Sequence, residues 1–104
     1  MLAGEVSVIR EQVLAELRRD FPELRERFGV ASLGLFGSVA RNEDGPASDI
    51  DLLVAFQGEP TFARFMGLKE ALEQRLGRRV DLVTAVGLKA RIRERVLAEL
   101  LHVA

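Results

Sequence analysis

Two aspartates one residue apart, Asp49 and Asp51, lead into an apolar run that ends at Phe56. Alternate side chains of a strand share a face, so both carboxylates project from one side while Ile50, Leu52, Val54 and Phe56 project from the other. Like charges at such range resist joint ionisation unless a proton or a cation lies between them. Mg²⁺ suits the need, because it takes one or two protein carboxylates and fills its shell with water and substrate phosphates. A place for phosphates lies just upstream. Leu33-Gly34-Leu35-Phe36 reads as a strand, Gly37 lets the backbone turn with no Cβ in the way, and Ser38 can cap a short helix begun by Val39-Ala40-Arg41. Free N–H groups at a helix start favour anions. A turn built from Asn42, Asp44, Gly45, Pro46 and Ser48 joins the two halves. Each part alone is ordinary turn chemistry. Joined in one strand-turn-strand unit, they set a carboxylate pair beside a phosphate cradle.

The pattern Gly37-Ser38-Val39-Ala40-Arg41, followed by Ser48-Asp49-Ile50-Asp51-Leu52-Leu53-Val54, resembles the signature of the minimal nucleotidyltransferase domain of the DNA polymerase β-like superfamily. The resemblance covers nearly the whole chain. It departs at Asn42, where the family commonly has Gly; Asn is the non-Gly residue that best tolerates a left-handed backbone. The resemblance implies transfer of a nucleoside monophosphate from an NTP, ATP foremost, to a hydroxyl, with release of pyrophosphate. By the same resemblance Asp49 and Asp51 hold two Mg²⁺ ions, Gly37 and Ser38 hold the β and γ phosphates, and Asp81 is the third catalytic carboxylate and metal ligand. Arg41 either balances substrate charge or pairs with Glu43 or Asp44. Stand-alone members commonly pair with a helical HEPN-type toxin and adenylylate it as its antitoxin, which is the leading expectation for a partner. Two alternatives stand beside it: an antitoxin acting by contact alone, and a nucleotidyltransferase for small molecules of the antibiotic type. Three intact aspartates count against the first of these.

A chain of 104 residues suits one domain, residues 1–104, and leaves no room for a second domain to grip the acceptor, which is therefore expected on another chain. Hydrophobic residues make up 48% and charged residues 30%, as in ordinary globular proteins. The absence of cysteine excludes disulfides and thiolate metal sites and makes a reducing cytoplasm the expected compartment. No apolar stretch approaches the roughly 20 residues of a membrane span, and no signal pattern opens the chain. Lys and Arg total 15 against 16 Asp and Glu, a balance that argues against reliance on duplex nucleic acid. Local clusters at Arg78-Arg79 and at Lys89, Arg91, Arg93 and Arg95 read as solvated faces, a surface for an acidic partner being the alternative.

These groups need a scaffold, and hydrophobic periodicity outlines one. Val6, Ile9, Val13, Leu14 and Leu17 predict an amphipathic helix from Glu5 to Arg19. Asp20-Phe21-Pro22 is expected to break it, with a short second segment from Glu23 to Arg27 and a stop at Gly29. Strands are expected over Val30 to Phe36, Asp49 to Phe56 and Val80 to Thr84, the last with Asp81 and Val83 facing away from Val80 and Leu82. Thr61 should cap a helix carrying Phe62, Phe65, Leu68, Leu72 and Leu76 on one stripe, with Gly77 as its end. A last helix carries Leu88, Ile92, Val96 and Leu100. Leu97 and Leu101 widen its apolar face, and the patch rimmed by Arg93, Arg95 and Glu99 is expected to dock a partner or a second copy. His102 reads as an exposed tail residue. The whole is an α/β layer fold, a small sheet with flanking helices, and the family likeness makes that sheet mixed.

Overall fold

The computed structural model describes residues 8–104, so Glu5 to Ser7 of the expected first helix lie outside the described residues. The elements are α1 (Val8–Phe28), β1 (Val30–Phe36), α2 (Gly37–Ala40), β2 (Ile50–Phe56), α3 (Phe62–Leu76), β3 (Val80–Thr84), α4 (Ala90–Glu99) and β4 (Leu101–His102). The strands form one mixed sheet in the order β3-β2-β1-β4. β1 pairs antiparallel with both β2 and β4, whereas β2 and β3 run parallel. A parallel pair needs a crossover, and α3 supplies it. Among the described residues no helix is long and apolar enough to cross a membrane.

Alternation along the strands divides the core in two. Leu33 and Leu35 of β1, Ile50, Leu52 and Val54 of β2, and Val80 and Leu82 of β3 face one side, where they meet Leu17, Phe21 and Leu24 of α1 and Leu68 and Leu72 of α3. Leu53 faces the other side and packs with Leu88 and Val96, flanked by Phe36, Val83 and Leu100. Asp51 and Asp81 share a strand face with Leu53 and Val83, so the carboxylates open on this second, thinly covered side. Gly34 lies there too: a Cβ on it would stand 2.6 Å from Leu100 Cδ1, so the missing side chain makes room for that leucine.

The expected break at Pro22 does not occur, and α1 runs through it. Proline forfeits one helical hydrogen bond, but Leu17, Phe21 and Leu24 continue a single buried stripe across the position. Arg75 of α3 spans the same point, bonding Asp20 at 3.2 Å and Glu23 at 2.9 Å. Tertiary packing has outweighed local preference. Elsewhere local chemistry governs. The Thr61 hydroxyl accepts from the Arg64 N–H at 3.0 Å, and Gly77 ends α3 at φ 67°.

The C-terminal region corrects a second expectation. The last helix stops at Glu99, and Leu101 and His102 form β4, paired with Leu35 and Gly34. Val103 donates to the Leu33 carbonyl at 2.8 Å and buries its side chain in the main core, where Leu101 also packs. The wide helical stripe was therefore the end of one helix followed by a strand, whose period of two also suits Leu101 and Val103. His102 is exposed, but as a strand residue whose carbonyl accepts from Arg18 at 2.9 Å. Of the expected patch, Ile92 and Leu97 remain exposed on α4.

Pro22 is exposed, and its cost should be measurable. Pro22→Ala is expected to raise stability by about 1–2 kcal/mol, the restored hydrogen bond and helix propensity being partly offset by a freer unfolded chain. Denaturant titration of both proteins checks this; a loss of stability would mean that the ring itself is needed.

Candidate active site

The parallel register of β2 and β3 places Asp51 directly beside Asp81. Neighbouring strands lie about 4.8 Å apart, so two carboxylates on one face in register are forced together. Burial first, then the charges of Asp81 and Asp49, push the Asp51 carboxyl up to about 6, against a weaker opposing pull from Arg41. One of these acids therefore holds a proton readily, or a cation in its place.

Gly37 completes the approach from the other strand. It follows β1 at φ 79°, and a Cβ there would overlap Asp51 Oδ2 and stand 2.8 Å from its Cγ. The position needs both the left-handed backbone and the missing side chain, so glycine is required on two counts. Ser38 corrects the expectation that it caps the short helix. α2 begins at Gly37 with Phe36 as its cap residue, no side chain caps it, and Ser38 lies half-buried within it. Asn42 adopts φ 59° after Arg41, the left-handed turn expected of it in place of glycine.

Residues distant in sequence set the remaining geometry. The Glu73 carboxylate accepts from the Val80 N–H at 3.0 Å and from Lys69 at 3.0 Å, fixing the start of β3 one residue before Asp81. These bonds, the backbone one foremost, hold its carboxyl below the usual range. Ile50 donates to the Arg79 carbonyl at 2.9 Å, which ties the start of β2 to the same point. Arg78 donates to the carbonyls of Gly45 and Pro46 at 3.0 and 3.2 Å and so clamps the turn before Asp49. Within that turn the Gly45 N–H donates to the Ser48 hydroxyl at 2.8 Å.

The candidate site residues are not equally convergent. Asp51, Asp81 and Gly37 come together, whereas Asp49 stands before β2 with its carboxylate 3.3 Å from Arg79 Nε. Arg41 pairs with Glu43 at 2.9 Å, as one of its readings held, and not with Asp44, which lies 3.9 Å from Arg78. It also donates to both oxygens of Glu99 at 3.1 Å, and Glu99 accepts the Gly37 N–H at 2.8 Å. Glu73, Arg78 and Glu99 were not legible as site residues. They act from 30 or more positions away, or through backbone groups, and carry no local spacing signal.

No three acidic or imidazole groups are drawn into a finished metal cage among the described residues. The donor set nonetheless fits Mg²⁺, which asks for hard oxygens and only one or two carboxylates. Asp51 with Asp81 supplies these at a place where a cation would relieve repulsion.

Residues 14–102 match the nucleotidyltransferase domain family. The chain belongs to that family. This nucleotidyltransferase is 45% identical to the protein adenylyltransferase MntA of Thermococcus cleftensis over 93 residues, 89% of this chain and 94% of that one. It superposes on the solved structure of a candidate minimal nucleotidyltransferase with a TM-score of 0.74 and 44% identity, over 86% of this chain and 92% of that one. A toxin–antitoxin structure with AMP-PNP gives a TM-score of 0.69 at 20% identity, over 84% and 72% of the respective chains. At that identity the likeness speaks for the fold.

The raised Asp51 carboxyl makes stability depend on pH. The folded nucleotidyltransferase holds this proton more tightly than the unfolded chain, whose aspartates titrate near about 4. Its contribution to stability is therefore full below about 4 and is lost as pH rises through about 6. Asp51→Asn should remove that slope and leave the metal-free protein more stable at pH 7 by about 1 kcal/mol, a figure already reduced for solvent screening. Melting curves from pH 4 to 8 check it. A variant with the parent's slope would show that Asp51 is not strained by its neighbours.

Proposed function

We propose that this nucleotidyltransferase moves an adenylyl group from ATP to a hydroxyl of a helical HEPN-type toxin and acts as its antitoxin. The observation that carries the chemistry is the Asp51–Asp81 pair in register beside the side-chain-free Gly37. Support for the acceptor comes from relatives. The relative at 45% identity is a protein adenylyltransferase. A structure of the tri-AMPylated Shewanella oneidensis HEPN toxin with its MNT antitoxin shares the fold, at a TM-score of 0.58 and 19% identity.

In this reading Asp49, Asp51 and Asp81 hold Mg²⁺, two ions in the full complex, and Asp49 exchanges Arg79 for that role. A metal held by these residues would supply charge neutralisation for the attacking and leaving oxygens of an in-line displacement. The chain's own groups do the rest. The Gly37 N–H and the Ser38 hydroxyl bind the β and γ phosphates, and Arg41 balances their charge. Asp81, the more exposed of the paired acids, accepts the proton of the acceptor hydroxyl. The hydroxyl oxygen bonds to the α-phosphorus as the bond to the bridging oxygen breaks, and pyrophosphate leaves with that electron pair. Phosphoryl chemistry asks the protein mainly for position and charge, which a chain of this size can supply.

Two outcomes test the reading. Ser38→Ala should weaken MgATP by one charge-assisted hydrogen bond, about 1.5–3 kcal/mol by calorimetry, and unchanged affinity would remove Ser38 from the phosphates. The cognate toxin incubated with this chain, ATP and Mg²⁺ should gain the mass of one or more adenylyl groups, on a tyrosine, and Asp49→Asn should prevent it. This chain contains no tyrosine, so a tyrosine-linked adduct belongs to the partner. A complex that forms without added mass would favour inhibition by contact alone.

A further inference from the structure

Glu99 sits where it contributes little to its own helix. It is the last residue of α4, a place where the helix dipole disfavours a carboxylate, and no basic residue of the last turn offsets it. Its contacts lie elsewhere. One oxygen accepts the Gly37 N–H at 2.8 Å, and both accept from Arg41 Nη1 at 3.1 Å. Arg41 does not need this partner for charge balance, because Glu43 already pairs with it at 2.9 Å. The Glu99 side chain is only 20% exposed, so the carboxylate is seated against these donors, not trailing in solvent.

A carboxylate on a backbone N–H and a guanidinium makes the same demands as a phosphate oxygen: negative charge and hydrogen-bond acceptors at about 2.8–3.1 Å. We propose that Glu99 is an internal competitor for the triphosphate, occupying the donors of Gly37 and Arg41 until a nucleotide displaces it, and thereby setting nucleotide affinity. The inference rests on the phosphate-binding role given above to Gly37 and Arg41. One N–H cannot serve both anions, and the two repel each other, so one must leave. Glu99 can leave by rotation of its side chain alone, while Leu100 against Gly34 and β4 just beyond it hold the backbone in place. The apo protein then holds its guanidinium and N–H satisfied, and nucleotide binding carries the cost of moving one carboxylate into water.

Glu99→Gln keeps the size and an acceptor atom but removes the charge, and Glu99→Ala removes the group. Calorimetric titration of AMP-PNP with Mg²⁺, and of inorganic triphosphate without metal, is the measurement, with melting temperature recorded alongside. Internal competition predicts that both variants bind AMP-PNP about tenfold more tightly than the parent, that triphosphate binding rises in parallel, and that melting temperature stays level or falls. Adding Arg41→Ala to Glu99→Gln should cancel the gain, since the released donor would be gone. A clasp that merely ties α4 to α2 lowers the melting temperature too but leaves affinity unchanged or weaker, and that affinity result overturns the proposal while leaving the nucleotide site in place. Failure of parent and variants alike to bind AMP-PNP overturns both the proposal and the nucleotidyl-transfer reading beneath it.

Discussion

Two like charges held side by side organise this molecule. Parallel pairing of β2 and β3 leaves Asp51 no position other than next to Asp81, and partial burial on the α4 side of the sheet deprives Asp51 of much of the water that would screen the pair. Apolar contacts on the opposite face fix that register. Ile50, Leu52 and Val54 pack beside Val80 and Leu82, and a slip of one residue would turn every one of them outward. The sheet thus spends part of its packing energy on holding a repulsive pair in place. Such strain is characteristic of a site awaiting a cation or a proton.

Around that pair the chain places neutral or complementary groups with little latitude. Gly37 yields its side-chain volume to Asp51, Glu73 and the Arg79 carbonyl align the two strand starts, and Arg78 fixes the approach of the turn. The Arg78 Nη1 atom is nevertheless buried without a hydrogen bond among the described residues, since Asp44 stops 3.9 Å away. The turn is held by its carbonyls more than by this ion pair.

The parts of this arrangement that are local in sequence were readable there. Strand β1, strand β3, the Thr61 cap, the Gly77 stop and the strand faces of Asp51 and Asp81 follow from alternation, capping and turn chemistry acting over a few residues, whereas Asp49, expected inside the strand, lies just before it. What escaped was decided across the fold. Pro22 signals a break, but Arg75, fifty positions later, binds both sides of it. Leu97 and Leu101 continue a helical spacing, yet the open edge of β1 captures the chain after Glu99, because an unpaired strand edge offers hydrogen bonds that a helix end does not. The Ser38 cap failed for a smaller reason. Glycine at φ 79° let α2 start two residues earlier, with its first N–H turned to Glu99.

The pairing of β4 with β1 gives the sheet an order of assembly. Gly34 meets His102 across most of the chain, so this contact closes the longest loop in the sheet, whereas β1 meets β2 across the much shorter segment that carries α2. Loop closure grows more costly with length, and distant contacts tend to be made late. By that reasoning the strands bearing Asp51 and Asp81, joined through α3, align before the segment that follows Glu99 reaches the open edge of β1. The site is then assembled first and receives its internal carboxylate afterwards, as the same short segment that seals the sheet edge comes into place.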